Sequence, residues 1–144
     1  MILLDTNVIL DLFDSKSAFN KWAGEVIVNA VTGQGAVVNP VALAECLHRV
    51  SDSKKAIQEL TSLGIQLIDL PHQAAETAAA AFRAYLVNRK ASGAPDPHSK
   101  MPLPDFFIGA HAQNANYQVA TRDPARFETY FPALQLIQPK TPSP

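Results

Sequence analysis

Acidic side chains interrupt apolar segments at four places in this sequence. Asp5 follows the apolar start ILL, and Glu45 lies among alanine, valine and leucine in VALAECL. Asp105 is flanked by apolar residues in LPDFFIG, and Asp123 closely follows the apolar segment YQVA. A carboxylate beside a core segment needs a partner, because an unpaired buried charge is costly. Four such acids in one place would repel one another unless a cation lay among them.

A divalent metal ion would meet this need. The candidate ligands are all carboxylates, and no Cys or His pair has zinc-binding spacing, so Mg²⁺ or Mn²⁺ is favoured over Zn²⁺. Short polar side chains at Thr6, Asn7 and Thr121 could orient the carboxylates or hold water molecules. Simpler roles stay open, because these three residues also suit helix caps. Asp105 alone could be a first-turn acid, and Asp123 alone a turn or cap residue.

Short apolar runs alternate with segments of helical periodicity, which predicts an α/β fold with a mainly parallel sheet covered on both faces. Ligands bind such sheets at the carboxyl ends of the strands. Asp5 and Asp123 come just past two predicted strands, and the helices that carry Glu45 and Asp105 begin at the same edge. The predicted strands cover 2–4, 36–38, 65–70, 117–121 and 134–137; the predicted helices cover 6–13, 18–31, 41–63 with a break near 51, 73–89, 104–114 and 124–130.

The composition is that of a folded protein. With 144 residues, 47% of them apolar and 17% charged, the chain is expected to form one domain over 1–138, followed by a flexible tail over 139–144. A single cysteine, Cys46, excludes an intramolecular disulfide and favours a reducing compartment. The N-terminus has neither the basic segment of a signal peptide nor an apolar run long enough to span a membrane, so a cytoplasmic location is expected.

Four segments together resemble the motifs of PIN-domain ribonucleases, and specifically the VapC-type toxins of VapBC toxin–antitoxin systems. These segments are LLDTNVILDLF, NPVALAE, LPDFFIGAHA and TRDPARF, and the resemblance covers nearly the whole chain. It implies a three-layer α/β/α domain with four to five strands. It also implies an Mg²⁺- or Mn²⁺-dependent endoribonuclease that cleaves RNA, with tRNA as a candidate substrate. By this resemblance the catalytic and metal-binding acids are Asp5, Glu45, Asp105 and Asp123.

The same resemblance implies a VapB-type antitoxin partner, whose C-terminal segment covers the acidic site, and a homodimer. An RNA substrate must be reconciled with a net charge of −1. Without the four site acids, nine acidic residues remain against 12 Lys and Arg residues, so the rest of the chain is basic. Each cation has the alternative of being an ordinary solvated side chain. The candidate phosphate contacts are Arg89, Lys90, His98, Lys100, Arg122 and Arg126.

Two other functions are consistent with parts of the pattern. A receiver or phosphatase-like domain also has an aspartate after its first strand, but it needs a second acid nearby and a late lysine, whereas this chain has Thr6, Asn7 and Arg122. A catalytically silent module that binds RNA or protein requires only the fold. Outside the acidic motifs, His111 is expected to be a surface or interface residue and Cys46 to be buried. Asp69 is expected to have a structural role.

Overall fold

A computed structural model describes residues 1–97 and 100–140 of the chain. Strands and helices alternate along most of its length, as the sequence pattern predicts. The elements in chain order are β1 (Ile2–Leu4), α1 (Thr6–Phe13), α2 (Asn20–Thr32), β2 (Ala36–Val38), α3 (Pro40–Leu47), α4 (Ser53–Ser62), β3 (Gln66–Leu67), α5 (Gln73–Ala91), α6 (Pro104–Ala115), β4 (Gln118–Ala120), α7 (Ala125–Tyr130) and β5 (Leu136–Ile137).

The five strands form one parallel sheet in the order β3-β2-β1-β4-β5. Strand β1 is central, and Ile2, Leu3 and Leu4 are all buried, as expected for a strand with helices on both faces. Since all the strands are parallel, their carboxyl ends lie along one edge. The predicted α/β fold with a central parallel sheet is therefore confirmed.

Local signals explain where the helices begin. The side chain of Asn39 accepts a hydrogen bond of 3.0 Å from the backbone N–H of Ala42, and Pro40 occupies the first turn of α3. Helix α6 likewise begins at Pro104. Within the segment predicted as one helix with a break, Asp52 caps a separate helix α4 by accepting a hydrogen bond from the N–H of Lys55. The break is therefore real, and α3 and α4 are independent elements.

Helix α6 packs closely against the ring of Phe131, a core residue that follows α7. A methyl group added at Gly109 would lie 2.5 Å from ring carbons of Phe131, a residue that is almost completely buried. Glycine is therefore required for the approach of this ring to the helix. The packing matters for the site because α6 also carries Asp105 in its first turn.

Two expectations concern the chain as a whole. Within residues 1–97 and 100–140, no helix has the length and apolar character needed to cross a membrane. The predicted tail over 139–144 lies outside the described residues from 141 onward, and the domain boundary at 138 stays a prediction.

Candidate active site

Asp5 lies at the carboxyl end of β1 and is 4% exposed. Its backbone N–H donates to the carbonyl oxygen of Ala120 on β4, and its Oδ1 accepts a 2.8 Å bond from the N–H of Thr6. Its Oδ2 accepts from Thr121 Oγ1 at 2.7 Å and from Asn7 Nδ2 at 2.8 Å. Asp5 thus caps α1, and its carboxylate is held by groups from both ends of the chain.

Burial raises the pKa of the Asp5 carboxyl from its ordinary 3.8 to about 6. The hydrogen bonds from Thr121 and Thr6 oppose this rise, because they stabilise the charged form. The negative charges of Asp105 and Glu45 add to the rise. The carboxylates of Asp105 and Glu45 therefore repel that of Asp5, and a cation placed between them would reduce the repulsion.

Glu45 reaches the same region from the second turn of α3. Its Oε2 accepts a 2.5 Å hydrogen bond from the hydroxyl of Thr6, the first residue of α1. The Asn39 cap and Pro40 fix the start of α3, so the position of Glu45 follows from local sequence signals five and six residues upstream.

Asp105 is half-buried in the first turn of α6, and it is paired with an arginine. Its Oδ2 accepts a hydrogen bond of 2.6 Å from Nη1 of Arg126 on α7. Arg126 is predicted from the sequence to contact RNA, and its ion pair with a proposed metal ligand is a contact that the sequence does not indicate.

Asp123 is the most exposed of the four acids, with 76% of its side chain accessible. Its Oδ2 accepts a 3.1 Å bond from Nδ2 of Asn7, and its backbone N–H donates to Thr121 Oγ1 at 3.0 Å. Asn7 and Thr121 each contact both Asp5 and Asp123, so these two polar side chains connect the first and last acidic motifs.

All four acids line one cavity of about 220 Å³, together with the five residues Thr6, Asn7, Leu10, Arg49 and Arg122. The sequence prediction that they meet at one edge of the sheet agrees with this placement. In the part of the chain that the structure describes, no three His, Cys, Asp or Glu side chains are already close enough to hold a metal ion. The donors are nonetheless hard carboxylate oxygens, which suit Mg²⁺ or Mn²⁺, and the negative charges of Asp105 and Glu45 add to the rise that burial causes in the pKa of Asp5.

Arg122 borders the cavity and is held from several sides. Its Nε lies 3.2 Å from Oδ2 of Asp11, its guanidinium carbon lies 5.1 Å from the ring centroid of Phe19, and its backbone N–H donates to Asn7 Oδ1 at 3.3 Å. Asp11 is buried at 4% exposure and also accepts from the hydroxyl of Ser17. Asp11 is absent from the site residues predicted from the sequence, although an acid between Leu10 and Leu12 in the apolar α1 segment was a signal.

Arg89 and Lys90, two further predicted phosphate contacts, lie in the last turn of α5. Arg89 Nη2 donates to the carbonyl oxygen of Pro95 at 2.6 Å, and Nη1 donates to Tyr85 OH at 3.4 Å, so this arginine holds the following loop. Lys90 and Lys100 are exposed. His98 lies outside the described residues.

The expectation that His111 is a surface or interface residue is wrong. Its side chain is 3% exposed, and its Nδ1 lies 3.3 Å from Asn39 Nδ2. Helix α6 contacts α3 as well as α5, so the face that carries His111 is covered too. Burial lowers the pKa of His111, which keeps the ring neutral. Cys46 is buried as expected, and burial raises the pKa of its thiol to about 12.

Comparisons with known proteins agree with this architecture. The PIN domain family profile matches residues 2–130. Among solved structures, VapBC2 from Rickettsia felis bound to a fragment of promoter DNA has a TM-score of 0.66 at 15% identity, covering 96% of this chain and 98% of that one. FitAcB from Neisseria gonorrhoeae has a TM-score of 0.65 at 21% identity, covering 96% and 97%.

A third similar structure is VapBC-1 from nontypeable Haemophilus influenzae, with a TM-score of 0.60 at 20% identity, covering 96% of this chain and 98% of that one. At these identities the likenesses show a shared fold along almost the whole chain. A search among curated proteins finds no significant match.

Proposed function

The chain belongs to the PIN domain family, and from this premise we propose that it is a divalent-metal-dependent endoribonuclease, the toxin of a VapBC-like pair. The observation that carries the proposal is the convergence of Asp5, Glu45, Asp105 and Asp123 on one cavity. Their sequence motifs are the four that resemble the VapC-type toxins. A shared fold alone would not support a nuclease, because folds host many functions.

The chemistry of the donors fits Mg²⁺ or Mn²⁺. Asp5, Glu45 and Asp105 would hold the ion, with Asp123 assisting directly or through a water molecule. When bound, a divalent cation supplies positive charge that promotes ionisation of an attacking water and stabilises the oxyanions that develop on phosphorus.

The remaining residues of the site orient these groups. The hydroxyl of Thr6 holds Glu45, while Thr121 and Asn7 hold Asp5. Thr6 and Asn7 lie at the start of α1 and Thr121 lies just past the end of β4, so these donors position the carboxylates before any ligand binds. Such preorganisation reduces the ordering that a substrate complex would require.

Arg122 is the best supported of the predicted phosphate contacts. Asp11 and Phe19 hold its Nε side and the face of its guanidinium, and the side chain borders the acidic cavity. An arginine anchored in this way can present its remaining N–H groups to a phosphate with little loss of side-chain entropy. Exposed Lys90 and Lys100 would add weaker, sequence-independent attraction.

We propose an antitoxin of the VapB kind as the protein partner. Similar structures are described as toxin–antitoxin complexes, and an apolar cleft of about 170 Å³ between α1, α3 and α4 is suited to the apolar side chains of an antitoxin segment. Leu10 lines both this cleft and the acidic cavity, so one bound segment could cover both. The residues lining the cleft are Ile9, Leu10, Phe13, Cys46, Leu47, Val50, Ala56, Glu59 and Leu60.

A homodimer remains part of the proposal. Leu86 and Val87 on α5 are exposed, the latter at 66%, and the small residues of that helix allow close approach by a second copy. Sedimentation of the purified protein would give its oligomeric state.

The deciding experiment incubates total RNA with the purified protein in Mg²⁺, in Mn²⁺ and in EDTA, and then sequences the new RNA ends. We expect discrete cleavage with either metal, no cleavage in EDTA, and no cleavage by the Asp5→Asn variant. The Asp69→Asn variant, which removes an exposed acid, is a matched control and should cleave normally. RNA binding without metal-dependent cleavage would favour the alternative, a catalytically silent module.

A further inference from the structure

Arg126 lies where a metal ion would be expected to interact with Asp105. Its Nη1 is 2.6 Å from Asp105 Oδ2, and both side chains are partly accessible, at 38% and 31%. Arg126 belongs to α7, which begins just after Asp123, and it lines the groove next to the acidic cavity together with Asp105 and Asp123. One oxygen of a proposed metal ligand is therefore already used by a cation of the protein.

Aromatic rings hold the guanidinium in this position. Its carbon lies 5.7 Å from the ring centroid of Tyr85 and 6.0 Å from that of Phe106. The two rings also contact each other, at 5.4 Å between centroids, so they form a fixed support. A cation near a ring face is attracted to it, and Arg126 can therefore move away from Asp105 without losing all its favourable contacts.

We propose that Arg126 exchanges partners during binding, releasing Asp105 to the divalent cation and turning to a phosphate of the RNA. This inference rests on the proposed function, because it needs a cation at the acidic site and an RNA substrate. The guanidinium lines an open groove of about 480 Å³ with Asp105, Asp123 and Tyr130, so a phosphate can reach it. Arginine is suited to this second role, because its planar N–H groups match phosphate oxygens.

The exchange makes metal binding and RNA binding favour each other. Without RNA, Arg126 competes with the cation for Asp105 and repels it, so metal binding is weakened. With RNA bound, the phosphate takes the guanidinium and Asp105 becomes available, and by linkage the metal strengthens RNA binding in return. The structural alternative is that Arg126 merely props Asp105 in its correct orientation.

The test measures Mn²⁺ binding to the purified protein without RNA. Electron paramagnetic resonance gives the concentration of free Mn²⁺, from which the bound fraction follows. The Arg126→Gln variant should bind Mn²⁺ about tenfold more tightly, because a repelling charge is gone from a partly exposed site. Arg126→Lys keeps the charge and should stay near the wild-type affinity. If Arg126 only props Asp105, Arg126→Gln must instead bind Mn²⁺ more weakly, so the sign of the change distinguishes the two roles.

Cleavage kinetics provide the second readout. At saturating Mn²⁺, Arg126→Gln should have a raised KM for RNA. In a separate titration of Mn²⁺, the concentration that gives half-maximal cleavage should be lower for this variant than for the wild-type protein. Arg83→Gln, which removes an exposed positive charge on α5, controls for net charge and should change neither value. Unchanged or weakened Mn²⁺ binding in a folded Arg126→Gln protein overturns the exchange. Wild-type protein that binds no Mn²⁺ overturns the proposed function itself.

Discussion

The Asp5→Asn substitution should make the metal-free protein more stable at neutral pH while it removes metal binding. Asp5 is 4% exposed, and its pKa is raised from 3.8 to about 6, first by burial. A carboxyl whose pKa is higher in the folded than in the unfolded state favours folding most at low pH. The free energy of unfolding therefore falls as the pH rises from about 4 to about 6, and the loss is complete above that range.

The size of the effect follows from the pKa. A rise of about two units corresponds to roughly 3 kcal/mol of lost stability at about pH 8. Asparagine avoids this loss, but when its oxygen faces Thr121 and Asn7 its NH₂ group faces the backbone N–H of Thr6, which now donates to Asp5 Oδ1 at 2.8 Å. That conflict costs about 1–2 kcal/mol. The net gain at about pH 8 is then roughly 1–2 kcal/mol, since the two effects partly cancel.

The pH dependence is more diagnostic than the net gain, because the donor conflict is present at every pH. The stability difference between Asp5→Asn and wild type should shift by about 2 kcal/mol in favour of the variant between about pH 4.5 and about pH 8. Urea unfolding in EDTA at both pH values measures this shift. Asp69→Asn should show no such shift, because Asp69 is exposed.

Metal addition completes the test. Mn²⁺ should raise the unfolding midpoint of the wild-type protein and leave that of Asp5→Asn unchanged, because only a ligand that binds the folded state stabilises it. A variant that is destabilised equally at both pH values would refute the reasoning, since it would mean that Asp5 is ionised at no cost.

Three further perturbations test other parts of the structure. Gly109→Ala should lower the free energy of unfolding, since overpacking against Phe131 costs about 1–3 kcal/mol and exceeds the gain in helix propensity of about 1 kcal/mol; urea unfolding measures it. Asp11→Asn should raise the KM for RNA more than it lowers kcat, because Arg122 loses its ion-pair partner, and the salt dependence of RNA binding should weaken. An unchanged KM would contradict a contact between Arg122 and RNA. His111→Gln should reduce the loss of stability on acidification. Because burial lowers the pKa of the histidine, its contribution to the free energy of unfolding is complete above about pH 6.5 and is lost as the pH falls through the lowered pKa. Urea unfolding at a series of pH values measures this loss.

Most of the fold could be predicted because its signals are local. The buried run at β1, the proline starts of α3 and α6, and the break before α4 all depend on a few neighbouring residues. Strand lengths were less accessible: 65–70 was predicted as a strand, but β3 covers only Gln66–Leu67. Pairing with β2 decides that length, and pairing is not encoded within the segment itself.

The candidate site was partly predictable for a different reason. The edge at which parallel strands end brings Asp5 and Asp123 together, and the helix starts do the same for Glu45 and Asp105, so topology alone predicts the cluster. The cations were harder, because their partners depend on side-chain packing. Nothing in the spacing of TRDPARF indicates that Arg126 pairs with an acid 21 residues earlier.

His111 illustrates a limit of helical periodicity. Its position off the Asp105 face suggested exposure, yet α6 is covered by more than one neighbouring helix. A nearly all-apolar helix such as DFFIGAHA is a signal of burial on several faces, and the histidine within it should have been assigned to the core.

The most direct test of the central claim is diffraction from crystals of the protein soaked in Mn²⁺, with data collected at the manganese absorption edge. We expect an anomalous peak within coordination distance of the Asp5, Glu45 and Asp105 carboxylates. A well-ordered crystal at saturating Mn²⁺ with no peak among these three side chains would contradict it.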